Sequence, residues 1–315
     1  MKHFISVNDA GNLQQLIQEA LELKQNINGF AELGKGKTIG LQFLNPSLRT
    51  RMSTQRAAYN LGMNVMVVNL DKDSWQIEFE DGAVMNSNKS EHIREAAGVI
   101  AQYCDVVGIR CFPGLTDRDK DYNEEVLHSF MKYCNKPVVS LESATRHPLQ
   151  SFADMITIAE TKQKEKPKVV LTWAPHIKAL PQAVPNSFAE WAIASGAEVI
   201  ITHPEGYELE ESFSRGAAIE YNQDAALKDA DYVYVKNWSS FTDYGAMPQV
   251  KGDWLLTNEK LELTNNAKVM HCLPVRRNVE LPDAIIDGPN SIIQQQAGNR
   301  VIAAQTVLKK ILQSV

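Results

Sequence analysis

Two α/β domains, each with a parallel sheet flanked by helices, are the fold class this sequence predicts. Three observations carry the expectation. The length of 315 residues suffices for two domains. Short apolar runs alternate with stretches of helical periodicity, the pattern of strand-helix units that build parallel sheets. A charged connector, KQKEKPK at 162–168, separates a first series of runs from a second.

Asn8 and Asp9 are candidate N-caps for an opening amphipathic helix, because Leu13, Leu16, Ile17, Ala20, Leu21 and Leu23 recur at helical spacing. The run at 38–44 ends in Asn-Pro and reads as a buried strand with a turn after it, followed by a helix over 50–61. Further strands are expected at 63–69, 105–111 and 137–141, with helices around 91–103 and 123–134 between them. A helix at 148–161 leads into the connector, and the second series places strands at 168–174, 198–203, 231–236 and 268–273. A last helix over 299–312 has an apolar face suited to pack back onto the first domain. The expected domains are therefore 1–147, with a C-terminal helix of about 299–315 returned to it, and 148–298.

Composition narrows the function classes. Hydrophobic residues at 44% and charged residues at 22% fit a chain with a proper core rather than a disordered one. A formal net charge of -6 and a pI near 5.7 argue against whole-protein attraction to nucleic acid or an anionic membrane, so any anion site must be local. No apolar run approaches the roughly 18 residues that span a bilayer, and the opening MKHFISVND lacks a signal-peptide core; a cytoplasmic location is expected. The four cysteines, Cys104, Cys111, Cys134 and Cys272, form no CxxC pair and suggest neither a disulfide framework nor a zinc site. No Gly-x-Ser-x-Gly, Walker A or Gly-x-Gly-x-x-Gly motif occurs, which weakens the hydrolase, nucleotide-triphosphatase and dinucleotide readings.

In open parallel sheets ligands bind beyond the carboxyl ends of the strands, and four clusters sit at such points. Asn45-Pro46-Ser47-Leu48-Arg49-Thr50-Arg51 opens a helix just after a strand. Free N–H groups there, with hydroxyls and guanidiniums, suit a phosphate, although a capped, solvated helix start has the same composition. Arg110 ends another strand, and His147-Pro148-Leu149-Gln150 follows a fourth; Arg110, His147 and Gln150 could together donate to a carbonyl oxygen and polarise it. The fourth cluster is His271-Cys272-Leu273-Pro274-Val275-Arg276-Arg277. Cys272 reads either as a packed thiol or as part of a cysteine–histidine pair whose pKa the arginines lower.

The set Ser47-Leu48-Arg49-Thr50-Arg51, Arg110, His147-Pro148-Leu149-Gln150 and His271-Cys272-Leu273-Pro274 resembles the aspartate and ornithine transcarbamylases, in the same order and over nearly the whole chain. That resemblance implies a carbamoyltransferase whose first domain binds carbamoyl phosphate and whose second binds the amine acceptor, with no metal and no organic cofactor. It implies that Ser47, the Leu48 backbone, Arg49 and Thr50 hold the phosphate, that Arg110, His147 and Gln150 address the carbamoyl group, and that Cys272, Leu273 and Arg300 complete this site. Arg49, Arg110, His147 and Cys272 are its candidate catalytic residues. A homotrimer with sites near subunit contacts is also implied, with Trp75 the candidate to reach a neighbouring site. Ordinary partial burial is the competing reading of Trp75.

The Ser-Met-Gly loop of ordinary ornithine transcarbamylases is absent. Lys236-Asn237-Trp238-Ser239-Ser240 and Thr172-Trp173-Ala174-Pro175-His176 instead look like the N-acylornithine branch. An acylated ornithine has no α-ammonium, so its carboxylate calls for a cation such as Lys236. Arg276 suits the second carboxylate of a succinyl group; Glu142 and His176 are further acceptor-binding candidates, and Lys178 and Arg277 weaker ones. Ser90 falls where succinyl-specific relatives look to carry proline and acetyl-specific relatives glutamate. It matches neither, but the absence of a carboxylate removes a like-charge contact and favours succinyl. Glu280 stands where acetyl-specific relatives place lysine; pointing inward it would pair with Lys236, and facing solvent it would decide nothing. The expected reaction is thus carbamoyl transfer from carbamoyl phosphate to the δ-amine of N-succinyl-L-ornithine in arginine biosynthesis. N-acetylornithine is the competing acceptor, and a non-catalytic sensor of a phosphorylated metabolite the competing class.

Overall fold

The structure, a computed structural model, describes residues 1–70 and 72–314. Eleven strands occur in chain order among them: β1 Thr38–Phe43, β2 Asn64–Asn69, β3 Ile77–Glu78, β4 Glu91–His92, β5 Val106–Arg110, β6 Val138–Glu142, β7 Lys168–Trp173, β8 Glu198–Thr202, β9 Ala218–Glu220, β10 Tyr232–Lys236 and β11 Lys268–Met270. The chain divides into two compact units. Unit 1 comprises the described residues of Met1–Gly114, Asp119–Leu149 and from Arg300 onward; unit 2 comprises Leu115–Arg118 and Gln150–Asn299. Leu115–Arg118 was not separated from the first domain by any signal in the sequence.

Unit 1 holds a parallel sheet in the order β2-β1-β5-β6. The inner strand β5 and the edge strand β6 are both buried at every residue, as parallel strands covered by helices must be. Helices Ile93–Tyr103 and Glu125–Tyr133 cover one side through Ile93, Ala97, Leu127 and Phe130, which pack with Val107, Ile109 and Val138. Phe4 adds to the outer edge of β6, donating to Val138 O and accepting from Ser140 N at 2.9 Å each. The opening helix is Leu13–Gln25, and its N-cap is Asn12, whose side chain accepts from Gln15 N at 3.0 Å. Asn8 and Asp9 fall instead in a 3₁₀ turn, Val7–Ala10, because the chain turns at Gly11 before the helix begins.

Unit 2 holds a second parallel sheet in the order β11-β10-β7-β8-β9. Its core joins Val170, Val233, Val235 and Val269 of the strands to Leu227, Leu256 and Ile285. β9 is an edge strand without an apolar run, which is why the sequence did not reveal it. The last helix begins at Ile293, six residues before the expected start, and runs to Leu312; Val315, at the end of the expected range, lies outside the described residues. From Arg300 onward it belongs to unit 1, where Gln305 bonds Asn60 Nδ2 at 2.8 Å and Ile27 O at 2.6 Å, and Lys310 pairs with Glu19 at 2.7 Å.

Each sheet contains one point where the strand order reverses. In unit 1 it lies between β1 and β5, the chain proceeding from β1 outward to β2 and later from β5 to β6. In unit 2 it lies between β7 and β10. Loops leaving such neighbouring strands diverge and open a crevice at the carboxyl ends. Both groups of candidate residues issue from these points.

The turn from the helix Arg49–Asn60 into β2 depends on Gly62, which has φ +77 and lies so close to Ala31 that a Cβ would fall 2.0 Å from its carbonyl oxygen. Gly62→Ala should therefore destabilise unit 1 by more than the roughly 1–2 kcal/mol of left-handed strain alone. Gly36→Ala, with φ +75 and open space around it, supplies that reference. Denaturant unfolding of the two variants checks the difference; equal losses would mean that the Ala31 contact relaxes freely.

Candidate active site

The residues at the unit 1 switch point converge on Thr50. Phe43 and Arg110 are register partners at the ends of β1 and β5, so the turn after β1 and the Arg110 side chain leave the sheet together. Ser47 Oγ accepts from Thr50 N at 3.3 Å and opens the helix Arg49–Asn60. Thr50 Oγ1 then accepts from Arg300 at 2.6 Å and from Arg110 at 3.5 Å. Leu48 is 67% exposed, its side chain unpacked. Arg51 turns elsewhere: it donates to Asn69 Oδ1 and stacks on the Phe43 ring at 4.9 Å.

Glu142, the last residue of β6, sets the charge of this group. Its Oε2 accepts from the Arg110 guanidinium and lies 3.3 Å from His147 Nε2. The structure thus ties Glu142 to the two residues expected at the carbamoyl group. His147 also has Arg300 at 3.5 Å. Burial first, then the charges of Arg300 and Arg110, hold the His147 pKa well below its ordinary value, so the ring is neutral near pH 7. The loop leading to His147 is fixed by a residue the sequence did not single out. Glu124, buried at positive φ, accepts from Ser143 Oγ at 2.6 Å, Thr145 Oγ1 at 2.5 Å and the N–H groups of Ala144 and Thr145 at 3.1 and 2.9 Å.

Trp75 is 56% exposed and donates to Glu91 Oε2 at 2.6 Å. Ser90, also exposed, donates its N–H to Gln76 O at 3.0 Å beside the small β3-β4 pair. Neither is brought into the Thr50 cluster.

In unit 2, Trp173 and Lys236 are register partners at the ends of β7 and β10. Glu280 is 1% exposed and points inward: its Oε1 lies 3.4 Å from Lys236 Nζ and 3.3 Å from His271 Nε2, and its Oε2 accepts from Arg276 N at 3.2 Å. Burial alone would raise the Glu280 carboxyl, but His271, Lys236 and the Arg276 N–H outweigh it and hold it far below the usual carboxylate range. Arg276 donates Nε–H to His176 Nε2 at 3.2 Å, and His176 Nδ1 lies 2.9 Å from Lys178 O. Arg277 pairs with Asp283 and Asp287 at 2.7 Å, away from the others.

His271 Nδ1 accepts from Leu273 N at 2.9 Å, and its Nε2 lies 3.3 Å from Glu280 Oε1. Gln150 donates Nε2 to Asp154 Oδ1 at 2.8 Å, which turns its amide oxygen the other way. One N–H of the Gln150 amide is thus held by Asp154. No cluster of three or more metal-ligating side chains occurs among the described residues, and no helix among them is long and apolar enough to cross a membrane.

Comparison with known proteins bears on both units. Residues 2–160 match the family model of the aspartate/ornithine carbamoyltransferase carbamoyl-P binding domain, and residues 181–311 that of the Asp/Orn binding domain. The N-succinylornithine carbamoyltransferase of Bacteroides thetaiotaomicron is 49% identical over 317 residues, covering 100% of both chains. The N-acetylornithine carbamoyltransferase of Xanthomonas campestris pv. campestris is 36% identical, over 99% of this chain and 98% of the relative. Among solved structures, an acetylornithine transcarbamylase complexed with acetylcitrulline superposes with TM-score 0.91 at 35% identity, covering 99% of each chain. A variant N-acetyl-L-ornithine transcarbamylase complexed with carbamyl phosphate and N-succinyl-L-norvaline gives TM-score 0.92 at 35% identity, over 99% of this chain and 100% of that one.

A buried neutral His147 makes a testable statement. Its folded pKa lies below the ordinary value of about 6.5, so the unfolded chain takes up the proton first. The stability it contributes is complete above that value and declines as pH falls beneath it. Histidine-selective NMR should find the ring still neutral just below about pH 6.5; a ring already protonated there would overturn the assignment.

Proposed function

The chain belongs to the aspartate/ornithine carbamoyltransferase family, and we propose that it transfers the carbamoyl group of carbamoyl phosphate to the δ-amine of N-succinyl-L-ornithine, giving N-succinyl-L-citrulline and phosphate in arginine biosynthesis. The observation that carries the acceptor is the end-to-end likeness to an N-succinylornithine carbamoyltransferase at 49%, against 36% for an N-acetylornithine enzyme.

Unit 1 supplies the donor's site. Ser47, the Leu48 N–H, Arg49, Thr50 and Arg300 take the phosphate, where hydroxyls, guanidiniums and a helix start suit a dianion. Arg110 and the neutral His147 donate to the carbamoyl oxygen, so charge that develops on it in the tetrahedral intermediate meets donors already in place. Gln150 accepts from the carbamoyl amine, and Cys272 and Leu273 complete the contacts. Unit 2 supplies most of the acceptor's site: Lys236 and His176 for the ornithine carboxylate, Arg276 for the succinyl carboxylate. Glu142 orients the δ-amine, whose lone pair attacks the carbonyl carbon to form the tetrahedral intermediate; the intermediate then collapses as the carbon–oxygen bond to phosphate breaks, and the departing phosphate takes the proton the amine gives up. The same reading makes the protein a cytoplasmic homotrimer in which Trp75 reaches a neighbouring site, with Ser90 at the discriminating position and no nucleic-acid or membrane partner. Ser90 and Trp75, exposed in the single chain, agree with roles met only when subunits or substrate are present.

Purified protein assayed with carbamoyl phosphate against ornithine, N-acetylornithine, N-succinylornithine and aspartate tests the proposal. Turnover should be greatest with the succinyl compound; turnover of N-acetylornithine alone would reassign the acyl group and leave carbamoyl transfer standing, whereas no turnover with any amine would favour a sensor.

Position 90 gives a second measurement. Ser90→Glu should lower the ratio of kcat/KM for succinylornithine over acetylornithine by about tenfold or more, since one unfavourable charge contact costs on the order of 1–3 kcal/mol. Arg276→Ala should lower the same ratio by removing the partner of the second carboxylate. An unchanged ratio in both variants would withdraw them from specificity.

A further inference from the structure

Asp154 is the most deeply buried carboxylate of unit 2, at 0% exposure, and lies outside every role assigned above. It stands one helical turn after Gln150 in the helix Pro148–Thr161. Its Oδ1 accepts from two side-chain amides, Gln150 Nε2 and Gln296 Nε2, each at 2.8 Å. Gln296 in turn accepts at Oε1 from the backbone N–H of His271, at 2.9 Å. The Tyr234 hydroxyl is close as well: burial, then the neighbouring Asp154 and Cys272, push its pKa well up, so it remains a protonated donor.

A carboxylate can only accept, whereas an amide has one donating and one accepting end. Asp154 therefore dictates which end of each glutamine faces it. Gln296 must turn its nitrogen to Asp154, which leaves its oxygen for His271 N. Gln150 must do the same, which turns its oxygen away from that carboxylate. An uncharged residue of the same shape would not impose this, because an asparagine amide could itself flip to donate or accept.

We infer that Asp154 is a positioning residue for carbamoyl recognition: by accepting from Gln150 and Gln296 it fixes the Gln150 amide with its oxygen toward the carbamoyl NH₂ and anchors the backbone that carries Cys272. The inference rests on the proposed function in one respect, that Gln150 addresses the carbamoyl group.

Two probes separate that premise from the inference. Phosphonoacetamide carries both an amide and a phosphonate; methylphosphonate carries the phosphonate alone. The wild-type protein should bind phosphonoacetamide more tightly, and failure to do so would remove Gln150 from carbamoyl recognition and the inference with it. Asp154→Asn should weaken phosphonoacetamide by about tenfold, the worth of one well-placed hydrogen bond, and leave methylphosphonate unchanged. In a Gln150→Ala background the same substitution should add no further loss for the amide probe, since its effect passes through Gln150. Asp154→Ser removes the carboxylate in a smaller side chain and should give the same pattern should the asparagine variant not fold. Equal losses for both probes, or a loss that persists in full without Gln150, would overturn the positioning role and leave Asp154 a structural residue of the core.

Discussion

A pocket for a buried anion must keep positive charge in hand, yet a buried cation without a partner is costly. Unit 1 meets both demands through the contact of Glu142 with Arg110. The buried Arg110 guanidinium is paired with that carboxylate, and His147 adds no charge because burial, then Arg300 and Arg110, keep it neutral. Were His147 charged, the cluster would carry a further buried cation. Were Glu142 absent, Arg110 would lose the carboxylate it is paired with.

The sheets explain how this arrangement is reached from short segments far apart in the chain. Each unit places a strand-order reversal between two strands whose last residues are register partners, Phe43 with Arg110 and Trp173 with Lys236. A side chain at the end of the second strand and a loop after the first are then neighbours by geometry, whatever the helices between them do. Positions fixed by backbone pairing are rigid, which suits Arg110 and Lys236. Positions on loops need their own fastening, and Glu124 supplies it for the segment before His147 by accepting four hydrogen bonds.

The strands of both sheets were legible because burial on two faces forces continuous apolar runs, as in Thr38–Phe43 and Lys168–Trp173. What escaped was polar and buried. Gln296, at 0% exposure, is of a residue type that reads as solvated, so the expected last helix starts six residues late. Edge strand β9 has exposed faces and no apolar run. Among site residues, the clusters at strand ends were visible as residue types, but not which atoms they turn toward each other. Nothing near Gln150 in sequence announces that Asp154, four residues on, takes one N–H of its amide. Glu124 lies on a turn, at a backbone angle that periodicity does not reveal.

The pairing of Lys236 with Glu280 bears on how an acyl group could be distinguished. Glu280 lies against both Lys236 and His271, so the Lys236 ammonium is not a bare attractor for carboxylates. It has three N–H donors, of which Glu280 engages one side at 3.4 Å, and a substrate carboxylate would share rather than displace that contact. N-acetylornithine, with one carboxylate and a protonated δ-amine, is neutral overall and asks for nothing more. N-succinylornithine carries one further negative charge, which this paired group does not answer. On the proposed reading the extra carboxylate has to be met by Arg276, whose guanidinium is held by His176 through Nε and keeps its two terminal nitrogens for a bidentate partner.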